Sequence, residues 1–244
     1  MSNKKNLSVL AIIPARGGSK RLANKNIRDF CGRPMISYSL EAAGASRAFD
    51  EIHVSTESEA IRDIVMGLGY TVPFLRPAEL ADDHTPLIPV LRWVLQEYGR
   101  RGRIFDAVCL MMPCAPLLTV EDIIGGLEIL KNGRNETPVL SVAPYPAPVE
   151  WAYSRGENGV LSAREPGMFA VRSQDLGKFY YDTGGFAFFP AAKLLDEAYV
   201  GGTDMLSVVL PSFRAIDIDD ADDFERAEIM YLGLQEFENR KNRI

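Results

Sequence analysis

Two charge clusters stand far apart in the 244-residue chain, and together they suit a polyphosphate bound with a hard cation. The first is Ala15-Arg16-Gly17-Gly18-Ser19-Lys20-Arg21, continuing to Lys25-Asn26. From Met1 to Arg28 there are seven basic residues (Lys4, Lys5, Arg16, Lys20, Arg21, Lys25, Arg28) and no acid. Two glycines let backbone amides approach an anion closely. One lysine about 4 Å from a phosphate is worth roughly 4 kcal/mol at an effective dielectric of about 20, before desolvation. The motif is neither GxxxxGK[ST] nor GxGxxG. A Gly-Gly turn with scattered lysines is ordinarily just solvated. Here it follows an apolar run and lies in acid-free surroundings, which favours phosphate binding.

The second cluster is Asp217-Ile218-Asp219. On a strand, residues i and i+2 point to one side, so two carboxylates would face one cation. Mg²⁺ at phosphates takes one or two carboxylates plus phosphate oxygens and water. The plainer reading is that these acids, with Asp220, Asp222 and Asp223, charge the start of the last helix. Both readings are kept, with Asp217 and Asp219 as metal ligands and Asp222 and Asp223 as helix-start residues. A third candidate is the polar loop Leu75-Arg76-Pro77-Ala78-Glu79-Leu80-Ala81-Asp82-Asp83-His84-Thr85, where Arg76 or His84 could meet a base or substrate and Thr85 caps a helix. A fourth is Arg172-Ser173-Gln174-Asp175 with Tyr181-Asp182-Thr183-Gly184-Gly185, a mixture that suits a hydroxyl-rich, anionic ligand such as a sugar acid. His53 reads as structural. Cys31, Cys109 and Cys114 read as small packing residues.

The elements that must position these residues alternate. Leu7 to Ile13 is a continuous apolar run, as a strand buried on both faces should be. A helix follows Pro34. Ile52 to Ser55 is a strand, Thr56 and Glu59 suggest a capping box, and Ile61, Ile64, Val65 and Leu68 keep helical spacing. Thr71 to Leu75 reads as a weaker strand. Thr85-Pro86 starts a helix with the stripe Leu87, Val90, Leu91, Val94, Leu95 and Tyr98. Phe105 to Met112 is a strand, Thr119 and Asp122 open the next helix, and Val139 to Val142 returns as a strand. The rhythm breaks between Pro144 and Lys178, with short strand-like pieces at Trp151–Tyr153 and Val160–Leu161. Strands resume at Gly185 to Phe189 and Phe213 to Ile218. A final helix from about Ala221 carries Phe224, Ala227, Tyr231 and Leu234. This alternation predicts an α/β fold, a mostly parallel sheet covered on both faces. The chain reads as one domain over 1–244, with 144–178 an excursion that packs on a second chain.

Composition narrows the classes. Hydrophobic residues are 47% and charged residues 25%, ordinary globular usage rather than disorder. The net charge of −6 argues against general nucleic-acid binding. The longest uncharged stretch, Ala107 to Val120, holds two prolines and is short of the roughly 20 apolar residues of a membrane span. Lys4 and Lys5 ahead of Leu7 to Ala15 imitate a secretion signal, but Pro14 and the following basic loop fit a buried first strand better. Three cysteines without CxxC argue against a disulfide framework and fit a reducing cytoplasm.

Ile12-Ile13-Pro14-Ala15-Arg16-Gly17-Gly18-Ser19-Lys20-Arg21 with Lys25-Asn26 closely resembles the N-terminal signature of the CMP-sugar-acid synthetases, the cytidylyltransferases for sialic acid and related nonulosonic acids. Arg76-Pro77-Ala78-Glu79-Leu80-Ala81, the Pro113-Cys114-Ala115-Pro116 turn, Arg172-Ser173-Gln174-Asp175 and the Asp217/Asp219 pair fall in the family's order. The resemblance spans nearly the whole chain. The Arg76 loop and the Arg172 segment look most like the pseudaminic acid branch. Sialic acid enzymes usually carry Gln-Pro-Thr-Ser-Pro where this chain has Met112-Pro113-Cys114-Ala115-Pro116, which turns the reading away from sialic acid. The pseudaminic branch tends to carry His-Asp-Ala-Gly-Gln-Phe where this chain has Tyr181-Asp182-Thr183-Gly184-Gly185-Phe186.

The resemblance implies a three-layer αβα nucleotide-binding fold, commonly homodimeric through an inserted arm. It also implies Mg²⁺-dependent coupling of CTP to a nonulosonic acid. Ala15, Arg16, Gly17, Gly18, Ser19, Lys20, Lys25, Asn26, Arg76 and Thr85 would hold the nucleotide. Arg172, Gln174, Asp175 and Asp182 would meet the sugar acid. Arg16, Lys20, Asp217 and Asp219 would carry catalysis, the two aspartates through the metal. No side chain stands out as a general base. Legionaminic, sialic or octulosonic acid as substrate stays open, as does a non-catalytic nucleotide- or sugar-binding module.

Overall fold

The computed structural model describes residues 7–82, 85–202 and 204–241. His84 therefore lies outside the described residues. In chain order come β1 (Val9–Pro14), a small hairpin of β2 (Asp29–Phe30) and β3 (Arg33–Pro34), α1 (Ile36–Ser46), β4 (Glu51–Ser55), α2 (Glu59–Gly67), α3 (Leu87–Arg100) and β5 (Ala107–Met111). Then follow α4 (Val120–Asn132), β6 (Val139–Pro144), a second hairpin of β7 (Tyr153–Arg155) and β8 (Leu161–Ala163), β9 (Tyr180–Pro190), α5 (Ala191–Leu195), β10 (Leu206–Val209) and α6 (Ala221–Lys241).

Six strands form one sheet in the order β10-β6-β9-β5-β1-β4. Every neighbouring pair is parallel except those of β9, which runs antiparallel to both β5 and β6. β1 is buried along its whole length, and its side chains alternate between two cores. Val9, Ala11 and Ile13 pack with α1, α2 and α4 through Ile36, Leu40, Ile61, Val65, Ile123 and Leu127. Leu10 and Ile12 pack with α3 and α5 through Leu91, Val94, Leu95, Tyr98 and Leu194. Helices thus cover both faces, the three-layer αβα arrangement anticipated from the alternation. A third cluster joins Phe30, Met35 and Tyr38 to Ile218, Phe224 and Ala227. It brings the start of α6 back against the loop that follows β1.

Several local expectations are corrected. Phe213 to Ile218 forms no ladder; it is a 3₁₀ turn over Ser212–Arg214 and then irregular chain. That segment is fixed by side chains instead. Both guanidinium ends of Arg214 bond the Asp122 carboxylate at the start of α4. The missing edge strand is β10, which pairs in parallel with β6. Thr71 to Leu75 is likewise not a strand. The cap of α2 is Ser58, whose Oγ accepts the Ile61 amide at 3.4 Å; Thr56 Oγ1 instead accepts the Ser58 amide. Thr85 does not cap α3, since its hydroxyl turns to Asp82 Oδ1 at 2.7 Å and Pro86 occupies the cap position. At the start of α4 the Thr119/Asp122 capping box is formed as read. Between β6 and β9 the chain leaves the sheet; the β7–β8 hairpin it makes there exposes Tyr153 and Leu161, and the 3₁₀ turn Met168–Ala170 that follows exposes Phe169.

Candidate active site

A cleft of about 300 Å³ opens beyond the carboxyl ends of β1 and β5, where ligands of open α/β sheets bind. Its volume suits a small-molecule site. Arg16, Ser19, Lys20, Arg21, Lys25 and Asn26 line it from the loop after β1. Arg76, Asp82 and Thr85 come from the loop before α3, and Met112, Pro113 and Cys114 from the turn after β5. Asp217 and Asp219 complete it from the segment before α6. Residues some two hundred positions apart in sequence thus share one cavity.

Direct bonds tie the two ends together. Lys25 Nζ donates to the Ile218 carbonyl at 2.6 Å and lies 3.2 Å from Asp219 Oδ1. Arg21 Nη2 lies 2.9 Å from Asp219 Oδ2. Asn26 is buried; its Nδ2 donates to the Arg16 carbonyl at 2.8 Å and its Oδ1 accepts from Cys114 Sγ at 3.3 Å. Asn26 therefore holds the turn of the basic loop against the strand β5 turn. Asp220 Oδ1 accepts the Asp223 amide at 3.0 Å, and Asp223, in the first turn of α6, accepts the Asp219 amide on Oδ2 at 3.2 Å, so the helix-start acids brace the backbone of the cleft pair.

The two cleft carboxylates differ. Burial would raise the pKa of Asp219, but the hydrogen bond and charge of Lys25 and the charge of Arg21 overcome it, and the net shift is downward. Asp217 moves the other way: burial raises its pKa first, and the neighbouring Asp219 and Asp182 add to the rise against Lys25. Asp217 forms no hydrogen bond or ion pair among the described residues. Burial pushes the Cys114 thiol up to about 12, with Asp217 and Asp219 adding to the rise and Lys25 opposing it, so it is a neutral wall of the cleft rather than a nucleophile.

This donor set fits a magnesium ion. Among the described residues no group of three His, Cys, Asp or Glu side chains forms a closed metal cage. Mg²⁺ at phosphates needs none, because one or two carboxylates suffice when the substrate and water supply the other oxygens. A half-buried carboxylate with a raised pKa and no cationic bond of its own is a group that a divalent ion would stabilise.

The remaining sequence candidates are placed as follows. Ala15 is buried and extends the ladder, its amide bonding the Ser55 carbonyl at 2.9 Å. The Gly17 amide, read as a phosphate donor, instead donates to Glu57 Oε1 at 2.7 Å. Gly18 has open space around it but does not line the cleft. Asp182 stands near Asp217, and its Oδ1 accepts the Gly184 amide at 2.9 Å. Arg172, Gln174 and Asp175 lie on the excursion between β6 and β9, outside the cleft, and Arg172 Nε pairs with Asp175 at 2.8 Å. His53 is buried in an aromatic nest with Phe74 and Tyr98, confirming its structural reading.

The sequence reading missed Glu57. Its only signal was an acid standing between a strand end and a helix cap, where acids are common for reasons of the helix dipole.

A family model described as "Cytidylyltransferase" matches residues 10–151. The chain is 36% identical over 223 residues to the pseudaminic acid cytidylyltransferase of Campylobacter jejuni, covering 91% of this chain and 95% of that one. It is 37% identical over 156 residues to the CMP-N,N'-diacetyllegionaminic acid synthase of Legionella pneumophila, covering 64% of this chain and 66% of that one. Among solved structures, a CMP:2-keto-3-deoxy-manno-octonic acid synthetase complexed with CTP superposes with a TM-score of 0.68 at 16% identity, covering 94% and 99% of the two chains. That likeness is one of fold.

Proposed function

This chain belongs to the cytidylyltransferase family, and from that premise we propose that it couples CTP to a nonulosonic acid, pseudaminic acid being favoured, to give a CMP-sugar and pyrophosphate. The observation that carries the reading is the convergence of Arg16, Lys20, Arg21 and Lys25 with Asp217 and Asp219 on one cleft. A relative 36% identical over nearly the whole chain, itself named for pseudaminic acid, supports the choice of sugar.

The sugar's anomeric hydroxyl attacks the α-phosphorus in line. The new oxygen–phosphorus bond forms as the bridge to the β-phosphate breaks, pyrophosphate leaves with that electron pair, and the hydroxyl proton passes to solvent water. There is little covalent work for the protein, so catalysis is positioning and charge stabilisation. Arg16 and Lys20, with Ser19 beside them, hold the phosphates. Lys25 and Asn26 brace the nucleotide, and Arg76 and Thr85 meet it from the opposite loop. Asp217 and Asp219 would hold Mg²⁺, which when bound supplies Lewis-acid neutralisation of phosphate charge. Asp182 faces the sugar from beside Asp217, whereas Arg172, Gln174 and Asp175 are assigned to the sugar carboxylate by resemblance alone, since they lie outside the cleft and Arg172 is paired with Asp175.

We further infer a homodimer, supported by the exposed Tyr153, Phe169 and Phe179 of the excursion, and a cytoplasmic enzyme, supported by three free cysteines. Among the described residues no helix is long and apolar enough to cross a membrane.

The test is pyrophosphate release with CTP and, in turn, pseudaminic, legionaminic, sialic and 3-deoxy-manno-octulosonic acids, with and without Mg²⁺. Release should require CTP, a sugar acid and Mg²⁺, with the highest kcat/KM for pseudaminic acid. No release with any of the four would overturn the activity.

A further inference from the structure

Glu57 follows the carboxyl end of β4 and precedes the cap of α2, yet its side chain serves neither. Both carboxylate oxygens are spent on other parts of the chain. Oε1 accepts the Gly17 amide at 2.7 Å, forty residues earlier, and Oε2 accepts Arg76 Nη2 at 3.1 Å, nineteen residues later. The pair with Arg76 is sheltered: the Arg76 side chain is 4% exposed and that of Glu57 24%. The backbone makes the same connection, the Arg76 amide donating to the Thr56 carbonyl at 2.8 Å. The approach at Gly17 is close, since a Cβ there would lie 3.3 Å from Ser58 Cβ and 3.5 Å from Glu57 Oε1. The guanidinium of Arg76 lines the cleft together with Arg16 and Lys20, and Glu57 itself does not.

We propose that Glu57 is a positioning residue that clamps the basic loop and Arg76 to each other, so that both sides of the nucleotide cleft are preset before ligand arrives. The proposal rests on the nucleotide reading of the cleft and adds to it the residue that fixes its geometry. One carboxylate spans two elements, the loop after β1 and the segment that carries Arg76. It also neutralises a buried guanidinium whose Nε has no partner of its own. Charged hydrogen bonds of this kind are the strong ones, and a preset cleft lowers the ordering cost of binding.

The experiment compares wild type, E57Q, R76Q and E57Q/R76Q by calorimetric titration with CTP and Mg²⁺. Glutamine at position 57 can still accept the Gly17 amide but presents its NH₂ to Arg76. E57Q should weaken CTP binding by roughly tenfold, the scale of one charged hydrogen bond. The double variant should bind no worse than R76Q alone, because the effect of Glu57 on affinity runs through Arg76. Hydrogen exchange gives a second, ligand-free readout: the Gly17 amide should exchange faster in E57A and stay protected in E57Q. Wild-type affinity in E57Q, or losses that multiply in the double variant, would overturn the clamp. If E57Q does not fold, the comparison of E57Q/R76Q with R76Q, in which both charges are absent, still decides. Failure of the wild type to bind CTP would overturn the nucleotide assignment, whereas binding that ignores position 57 would overturn only the clamp.

Discussion

Gly184→Ala should damage the metal site far more than it damages the fold. Gly184 sits in β9 with φ +61°, where an L side chain is strained by about 1–2 kcal/mol. Lower unfolded-state entropy returns roughly 0.4–1 kcal/mol of that, leaving a net cost of about 1 kcal/mol. In a chain of this size that lowers Tm by roughly 2–4 °C. The geometry around the added methyl is harsher. It would lie 2.7 Å from both Cγ and Oδ1 of Asp217 and 3.1 Å from its Cβ. Carbon contacts settle at about 3.5–4.0 Å, so the carboxylate must retreat by nearly 1 Å. A short side chain can swing away at little energetic cost, but it then leaves the position where a cation would be held. A 1 Å misplacement of a reacting group costs about 100-fold in rate. The assay is pyrophosphate release across a Mg²⁺ series, paired with a thermal melt. The expected result is a melt within a few degrees of wild type, a rate down on the order of 100-fold, and a higher Mg²⁺ requirement. Unchanged turnover at an unchanged Mg²⁺ requirement would refute the placement of Asp217 at the metal.

Three further outcomes are expected. Asp219→Ala should remove most turnover with the fold intact, since it deletes the partner of Lys25 and Arg21 and one proposed metal ligand; near-normal CMP-sugar formation would count against the metal role. His53 is held neutral in its nest, its pKa lowered to about 3 first by burial and then by the nearby Arg101 and Arg76 charges. Because the folded value lies below the ordinary 6.5, its contribution is complete above about pH 6.5 and is lost as pH falls toward 3. Urea unfolding should show about 2 kcal/mol lost from this residue by about pH 5, and His53→Gln should flatten that acid limb; identical pH slopes would contradict it. Gly126→Ala would place a methyl 2.6 Å from Phe186 Cε2 and 2.8 Å from Phe188 Cε2, overpacking the core by about 1–3 kcal/mol. A lower Tm with unchanged KM for CTP is the expected reading, measured by melt and steady-state kinetics.

What could be read from the residues was governed by locality. The buried run of β1, the Thr119/Asp122 capping box and the stripe of α3 are signals carried within one element, and each forms as the periodicity predicts. The convergence of Lys20 and Asp219 on one cleft was legible only because the basic loop leaves a central strand and the acids precede the last helix. Phe213 to Ile218 has the alternating apolar residues of a strand, but Ile216 and Ile218 serve the third core cluster, Phe213 is exposed, and Arg214 anchors the segment to α4. β10 escaped notice because it is a four-residue edge strand whose side chains stay largely exposed, so it carries no burial pattern. Ser141 is a buried polar residue in the middle of β6, with no local reason to be there. It fills the irregularity opposite Thr183 to Gly185, its Oγ accepting the Phe186 amide at 3.0 Å and lying 2.8 Å from Thr183 Oγ1. Glu57 shows the same limit at the site: its two partners lie on other elements, and no spacing within the sequence reveals them.

The account turns on one nucleotide being gripped from both ends of the chain. A crystal structure with CTP and Mn²⁺, read by the anomalous signal of the metal, tests this directly. The expected map places the triphosphate against Arg16 and Lys20 with manganese beside Asp217 and Asp219. Nucleotide bound elsewhere, or manganese seated away from both aspartates while CTP is bound, would contradict it.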